Sequence, residues 1–148
     1  MASTYIDLHC HVVFSTKNRR NFIQDDWRPE LHAYLGGAIN GLGAMPSAIG
    51  GTSDHVHLLV GLRSTHADAD IVREIKKSSS DWAKDAQRSR EFAWQEGYAA
   101  FSVSYEHRPA VVAYIAGQEE HHRKVSAIDE LRFLLDAAGV EYDPSYLE

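Results

Sequence analysis

Ser53-Asp54-His55-Val56-His57-Leu58-Leu59-Val60 decides how this chain is read. Side chains alternate across a β-strand with period two, so His55 and His57 share one face while Val56, Leu58 and Val60 point to the other. One face is made for packing, and one end of the other carries imidazoles. A two-histidine metal edge on a sheet is built this way, and a core strand has no need of it. Taken alone, two polar residues on a solvated strand face is the simpler reading.

A second constellation shifts the balance. In Val111-Val112-Ala113-Tyr114-Ile115-Ala116-Gly117-Gln118-Glu119-Glu120-His121-His122-Arg123-Lys124, Tyr114 and Gln118 are four apart. On a helix they share a face about one turn apart. A phenol beside an amide that can offer its carbonyl oxygen to a metal suits a nucleophile next to a metal site. The spacing by itself is common on ordinary helices.

The coarse pattern alternates strands and helices. Residues 5–15 read as a strand. A helix starts near Asp25 or Asp26, with Pro29 in its first turn, carries Leu31, Leu35, Ile39 and Leu42, and ends at Gly41 and Gly43. Residues 45–51 and 54–62 read as an antiparallel pair turning through Gly50-Gly51-Thr52-Ser53. From Ala67 to Arg90 the pattern is an amphipathic helix, with Ile71, Ile75, Trp82 and Ala86 on one side. On the other side Arg73, Lys77, Lys84 and Arg88 fall within roughly 60° of one another on a 3.6-residue wheel. Tyr98 to Tyr105 reads as a half-buried strand. Arg108-Pro109 opens the Tyr114 helix, where Gly117 loosens the turn before Gln118. Ser126 caps a last helix bearing Ile128, Leu131, Leu134, Leu135 and Ala138, stopped by Gly139. The order β-α-β-β-α-β-α-α predicts an α+β layer architecture, ferredoxin-like or RNA-recognition-motif-like, with helices on an antiparallel sheet.

Composition sets bounds. At 148 residues the chain is expected to form a single domain over 1–148 with a real core. Its single cysteine, Cys10, excludes an internal disulfide and a CxxC zinc site, which fits a reducing cytoplasm. No apolar run approaches membrane-spanning length, so neither a span nor a signal peptide is expected. The net charge of −6 argues mildly against nucleic acid as a partner, but residues 1–94 carry eleven Lys/Arg and eleven Asp/Glu, and residues 95–148 carry four against ten. The acidic excess sits in the C-terminal third. Elsewhere Lys17, Arg19 and Arg20, and the helical stripe with Arg73, Lys77 and Lys84, are candidates to hold a phosphate backbone, against the plainer reading of a solvated surface.

Asp54-His55-Val56-His57-Leu58-Leu59, followed by Tyr114-Ile115-x-x-Gln118-x-x-His121-His122, resembles the single-tyrosine HUH transposases, the TnpA enzymes of IS200/IS605 insertion sequences and their repeat-associated relatives. The resemblance takes in His11-Val12-Val13-Phe14-Ser15-Thr16-Lys17-Asn18-Arg19-Arg20, Trp94 to Ser104, and Val140 to Leu147. It implies Tyr114 as nucleophile, a divalent ion (Mg²⁺ or Mn²⁺) on His55, His57 and Gln118, and cleavage and rejoining of single-stranded DNA through a 5′-phosphotyrosine. The implied substrate is single-stranded DNA with imperfect hairpins near the element ends. A cytoplasmic homodimer is implied too, with Tyr114 of one subunit able to meet His55 and His57 of the other. Two rivals stand beside this reading: a domesticated relative acting on chromosomal hairpin repeats, and a noncatalytic single-strand binder on the same fold.

The remaining polar residues have plainer expectations. His121 and His122 are read as exposed helix-end histidines, with contact to metal or DNA as the alternative. His9 and His11 bracket Cys10 and mimic the His55/His57 spacing, but without a Tyr-x-x-x-Gln partner they are read as structural. Tyr5, Tyr98 and Tyr105 are expected to pack on strands, and Trp94 in the core. Asp54 is expected to shape the turn and to orient a ligand histidine from behind.

Overall fold

β3 (His55–Leu62) is buried on both faces, and the rest of the molecule is arranged around it. A computed structural model describes residues 3–85 and 88–147. β3 pairs with β1 (Leu8–Ser15) on one side and β2 (Met45–Gly51) on the other, and β4 (Ala99–Ser102) adds to β1. The sheet is antiparallel with order β2-β3-β1-β4. This is the ferredoxin-like α+β arrangement that the element order predicts.

The two faces of the sheet differ in chemistry. Val56, Leu58 and Val60 join Val12 and Phe14 on one face, and α1 (Arg28–Gly41) and α2 (Asp68–Asp85) cover it with Leu31, Leu35, Ile39, Ile71, Val72 and Ile75. Leu31, Leu35 and Ile39 are fully buried at successive helical turns. Trp94 packs edge-on against Phe14 and Phe92 and donates its indole N–H to Ser79 Oγ at 2.9 Å, as its expected core role requires. The opposite face carries His11, His55 and His57. Over it lie α3 (Arg108–Ala116), the short α4 (Gln118–His121) and α5 (Ala127–Ala137), whose first turn Ser126 caps by accepting from the Asp129 N–H.

Several expected boundaries move inward. β1 starts at Leu8, so Tyr5 is 92% exposed and outside the strand. β4 has four residues, not the eight expected. Tyr98 precedes it and donates its hydroxyl to Asp68, while Tyr105 opens a 3₁₀ turn and lies under the Arg108 guanidinium. None of the three tyrosines packs on a strand: Tyr5 lies ahead of β1, and Tyr98 and Tyr105 flank an edge strand that needs few residues to complete a four-stranded sheet. α2 ends at Asp85 rather than near Arg90, and Ala86 lies outside the described residues. The Tyr114 helix breaks at Gly117, whose ψ of 17° interrupts helical geometry, so Gln118 begins a separate turn.

His32, on α1, illustrates how burial couples to pH. Its Nε2 finds no hydrogen-bond partner among the described residues, and burial, aided by the Arg28 charge, pushes its pKa down to about 4. The unfolded chain titrates near 6.5 and so binds more protons than the fold between these values. This contribution to stability is therefore complete above about pH 6.5 and lost as pH falls toward 4. His32→Leu is expected to flatten the fall in melting temperature across that window. An unchanged fall would assign the acid sensitivity to other groups.

Candidate active site

The histidine face is buried, not solvated: His55 is 2% exposed and His57 0%. Buried imidazoles must find partners or destabilise the fold, and each nitrogen here has one. Asp54 Oδ1 lies 2.7 Å from His55 Nδ1 and also accepts from the Thr52 hydroxyl, which combines turn-shaping with orientation of the ring. Burial works to raise the Asp54 pKa, but its hydrogen bond with His55 and the charges around it hold it below the ordinary value. Behind His57, His11 Nε2 stands 2.8 Å from Nδ1. His11 is thus more than a packing residue, since it fixes the ring that its own spacing imitates. Burial and the neighbouring His57 push the His11 pKa down to about 4, which keeps it neutral.

The front nitrogens converge. His55 Nε2 is 3.2 Å from Gln118 Oε1, and His57 Nε2 is 2.8 Å from Glu130 Oε1. His122 Nε2 reaches both oxygens, at 3.0 Å and 3.1 Å. The donor atoms of His55, His57, His122 and Glu130 lie within 4.8 Å of one another. Three imidazole nitrogens, a carboxylate and the Gln118 amide oxygen make a donor set that suits a divalent transition ion.

Tyr114 meets this group from α3. Its hydroxyl donates to Glu130 Oε2 in a short hydrogen bond, and its ring stands edge-on to His57 with centroids 5.8 Å apart. Burial and the Glu130 carboxylate push the phenol's pKa up, so it is held protonated. For Glu130, burial favours the neutral acid. Hydrogen bonds from His57 and Tyr114 outweigh it and keep the carboxyl ionised, below the usual carboxylate range. His121 Nε2 lies 3.2 Å from Glu130 Oε2, on the solvent side.

Gly50 is what lets α3 sit there. It faces His57 across the β2–β3 pairing, and the Ile115 backbone rests on it. A Cβ at Gly50 would overlap the Ile115 carbonyl oxygen and come within 3.0 Å of its carbonyl carbon. Gly50→Ala must therefore push α3, and Tyr114 with it, off the sheet. A displacement near 1 Å at a reacting group costs on the order of a hundredfold in rate. If Tyr114 is the nucleophile that the sequence resemblance implies, that loss is expected in its reaction rate for Gly50→Ala protein that retains cooperative unfolding; an undiminished rate would show that the α3 position is not critical.

The structure thus brings together Tyr114, His55, His57 and Gln118, and adds His122 and Glu130. Gln118 Nε2 also donates to the Tyr114 carbonyl at 3.3 Å, tying the two across the Gly117 break. Glu130 was absent from the sequence reading. The signal for it was present: in Ala127, Glu130, Leu131, Leu134 and Leu135 a carboxylate occupies a position of an apolar helical stripe. The basic candidates divide. Arg19 borders a cavity beside His55, with Lys17 and Arg20 next to it in sequence. Arg73, Lys77 and Lys84 lie on α2, which covers the other face of the sheet, and Arg73 is paired with Asp70 and Glu74.

Comparison with known proteins agrees with the fold. The family model described as "Transposase IS200 like" matches residues 4–118. A crystal structure from Deinococcus radiodurans R1, described provisionally as a transposase, superimposes with a TM-score of 0.64 at 24% identity, covering 78% of this chain and 94% of that one. A REP-associated tyrosine transposase bound to a REP hairpin superimposes with a TM-score of 0.62 at 17% identity, covering 100% of this chain and 90% of that one. A search of curated proteins finds no match. The matched span stops at Gln118, so His122 and Glu130 come from the segment after it. With a family model matching most of its length, the chain belongs to the IS200-like transposases.

Proposed function

We propose that this transposase cleaves and rejoins single-stranded DNA, with Tyr114 as the nucleophile and a 5′-phosphotyrosine as the intermediate. The observation that carries the reading is the Tyr114 hydroxyl bound to Glu130, whose other oxygen meets His57. His55, His57 and Gln118 would hold a divalent cation, Mg²⁺ or Mn²⁺, with His122 and Glu130 within reach of it. Such an ion, when bound, supplies Lewis-acid stabilisation of phosphoryl charge.

The rest of the chemistry belongs to the chain. The Tyr114 oxygen forms a bond to phosphorus as the P–O3′ bond breaks, leaving a 3′-hydroxyl strand end. Because the phenol is held protonated, its proton must leave during attack, and the Glu130 carboxylate that already accepts its hydrogen bond is placed to take it. His11 and Asp54 keep the two imidazoles aimed forward. One ester replaces another, so the linkage can be passed to a different 3′-hydroxyl without nucleotide hydrolysis, and the sequence has no Walker-type loop.

The REP hairpin in the second solved structure supports hairpin-bearing single strands as substrate. Lys17, Arg19 and Arg20 would contact such a strand, Arg19 from the border of the cavity beside His55, and the α2 stripe would serve DNA running round the other face. A cytoplasmic homodimer remains part of the proposal on family grounds. No described helix is long and apolar enough to cross a membrane. Tyr114 approaches its own chain's His57, which favours sites complete within one subunit over sites shared between two.

The test uses single-stranded hairpin DNA labelled on the 3′ side of the break. Wild-type protein is expected to become covalently labelled, with the adduct on the peptide containing Tyr114. Cleavage without any adduct would make a metal-activated water the nucleophile and the protein a nuclease.

A further inference from the structure

Beside the histidine cluster, between the outer half of the sheet and α5, lies a cavity of about 370 Å³. Ala99 and Phe101 of β4 form part of its floor, Leu131 and Leu135 of α5 its roof, and His55 and Glu130 one end. Interior voids in folded proteins rarely exceed the size of a water molecule. This one falls at the low end of the roughly 300–1,000 Å³ of small-ligand sites and shares their form, apolar walls with a few convergent polar groups.

We propose that this cavity binds one unstacked nucleobase of the DNA strand, next to the phosphate that Tyr114 attacks. The proposal rests on the reading above for the place of that phosphate and adds where the neighbouring base goes. Against the apolar part of the cavity, lined by Ala99, Phe101, Leu131 and Leu135, a phosphate would lose its hydration and face the carboxylates of Glu130 and Glu96; among the lining residues Arg19 alone brings a fixed positive charge, placed to hold the backbone at the boundary. An uncharged, flat, aromatic group has no such penalty. The Phe101 ring gives it a surface on which to stack, the usual way proteins hold splayed-out bases of single strands. Gln95 and Glu96, also lining the cavity, offer an amide and a carboxylate to a base edge. Glu96 can only accept, which favours bases with an exocyclic amine. His55 and Glu130 line the cavity themselves, so a base held in it lies beside the reacting centre. Its roof belongs to α5, in the segment beyond the span shared with the family model, so base preference can vary without touching the histidine strand.

The probe is a twelve-residue oligothymidylate carrying one central 2-aminopurine, titrated with the full chain in Mg²⁺. Saturable binding is expected to quench the 2-aminopurine emission several-fold through stacking in the cavity. Leu131→Trp, which fills the cavity, and Phe101→Leu, which keeps volume but removes the stacking ring, are each expected to abolish the quench. Both should weaken binding, read by anisotropy, by about tenfold, within the range of one stacked base. Absence of saturable binding, binding without quenching, or equal quenching by both variants would overturn the proposal. Melting curves show whether either variant is misfolded, and the other then decides. Adduct formation is scored separately. Adducts without quenching sink the cavity and leave the chemistry standing; quenching without adducts supports the cavity and sinks the chemistry.

Discussion

Tyr114→Phe is expected to lose covalent DNA attachment by at least about a thousand-fold, as removal of a nucleophile that works with its partners as a unit does. The substitution deletes one hydroxyl. The ring's edge contacts with His57 and His11 and its tilted contact with His121 persist, so packing should change little. The hydrogen bond it removes ends on a buried carboxylate that retains His57, His121 and His122 as partners. DNA binding should therefore survive, and melting temperature should move by only a few degrees. Tyr105→Phe, at an exposed position, and Tyr98→Phe, on the border of the neighbouring cavity with its hydroxyl turned to Asp68, should form the adduct normally. An adduct on Tyr114→Phe protein would assign the nucleophile to another residue.

Removing the metal should have an effect of similar size. Cleavage is expected to stop in EDTA and return with Mg²⁺ or Mn²⁺. His57→Ala should lower Mn²⁺ affinity, read by calorimetry in the absence of DNA, by at least about a hundredfold, since even residues that only support ligands cost ten- to a hundredfold. DNA binding should be largely kept, because backbone contacts come from elsewhere on the surface. The variant also leaves the His11 and Glu130 groups facing a void, so its stability must be measured beside its affinity. Full cleavage after exhaustive chelation would take the ion out of the mechanism.

Much of this was legible in the residues. The alternation in β3 gave strand, faces and histidine pair together, because period two permits no other arrangement once Val56, Leu58 and Val60 seek the core. The α1 stripe was as clear. Strand ends were not: Tyr98 and Tyr105 have the aromatic character of strand residues, and nothing local says that an edge strand stops after four. Glu130 escaped notice because a glutamate in a helix is ordinary until the third dimension puts it among three histidines and a phenol. His122 reads in the sequence as an exposed helix-end histidine, with metal contact only as the alternative; whether such an imidazole points to solvent or to a cluster depends on the bend at Gly117. Lys17, Arg19 and Arg20 and the α2 stripe group in the sequence as candidates for one phosphate backbone, yet the sheet stands between α2 and the cavity that Arg19 borders. Layer assignment is a tertiary fact.

The opposed faces of β3 also have a genetic consequence. Along this one strand, even-numbered positions from Val56 to Val60 govern whether the chain folds, and His55 and His57 govern whether it reacts. Conservative point changes from His55 to Leu58 should accordingly alternate between those that mainly cost activity and those that mainly cost stability, whereas Leu59, buried on the histidine face, belongs with the stability positions. A single-codon insertion or deletion between Asp54 and Leu58 has no such choice. It slips the parity, turns imidazoles toward the apolar layer and valines toward the phenol, and forfeits folding and chemistry in one event.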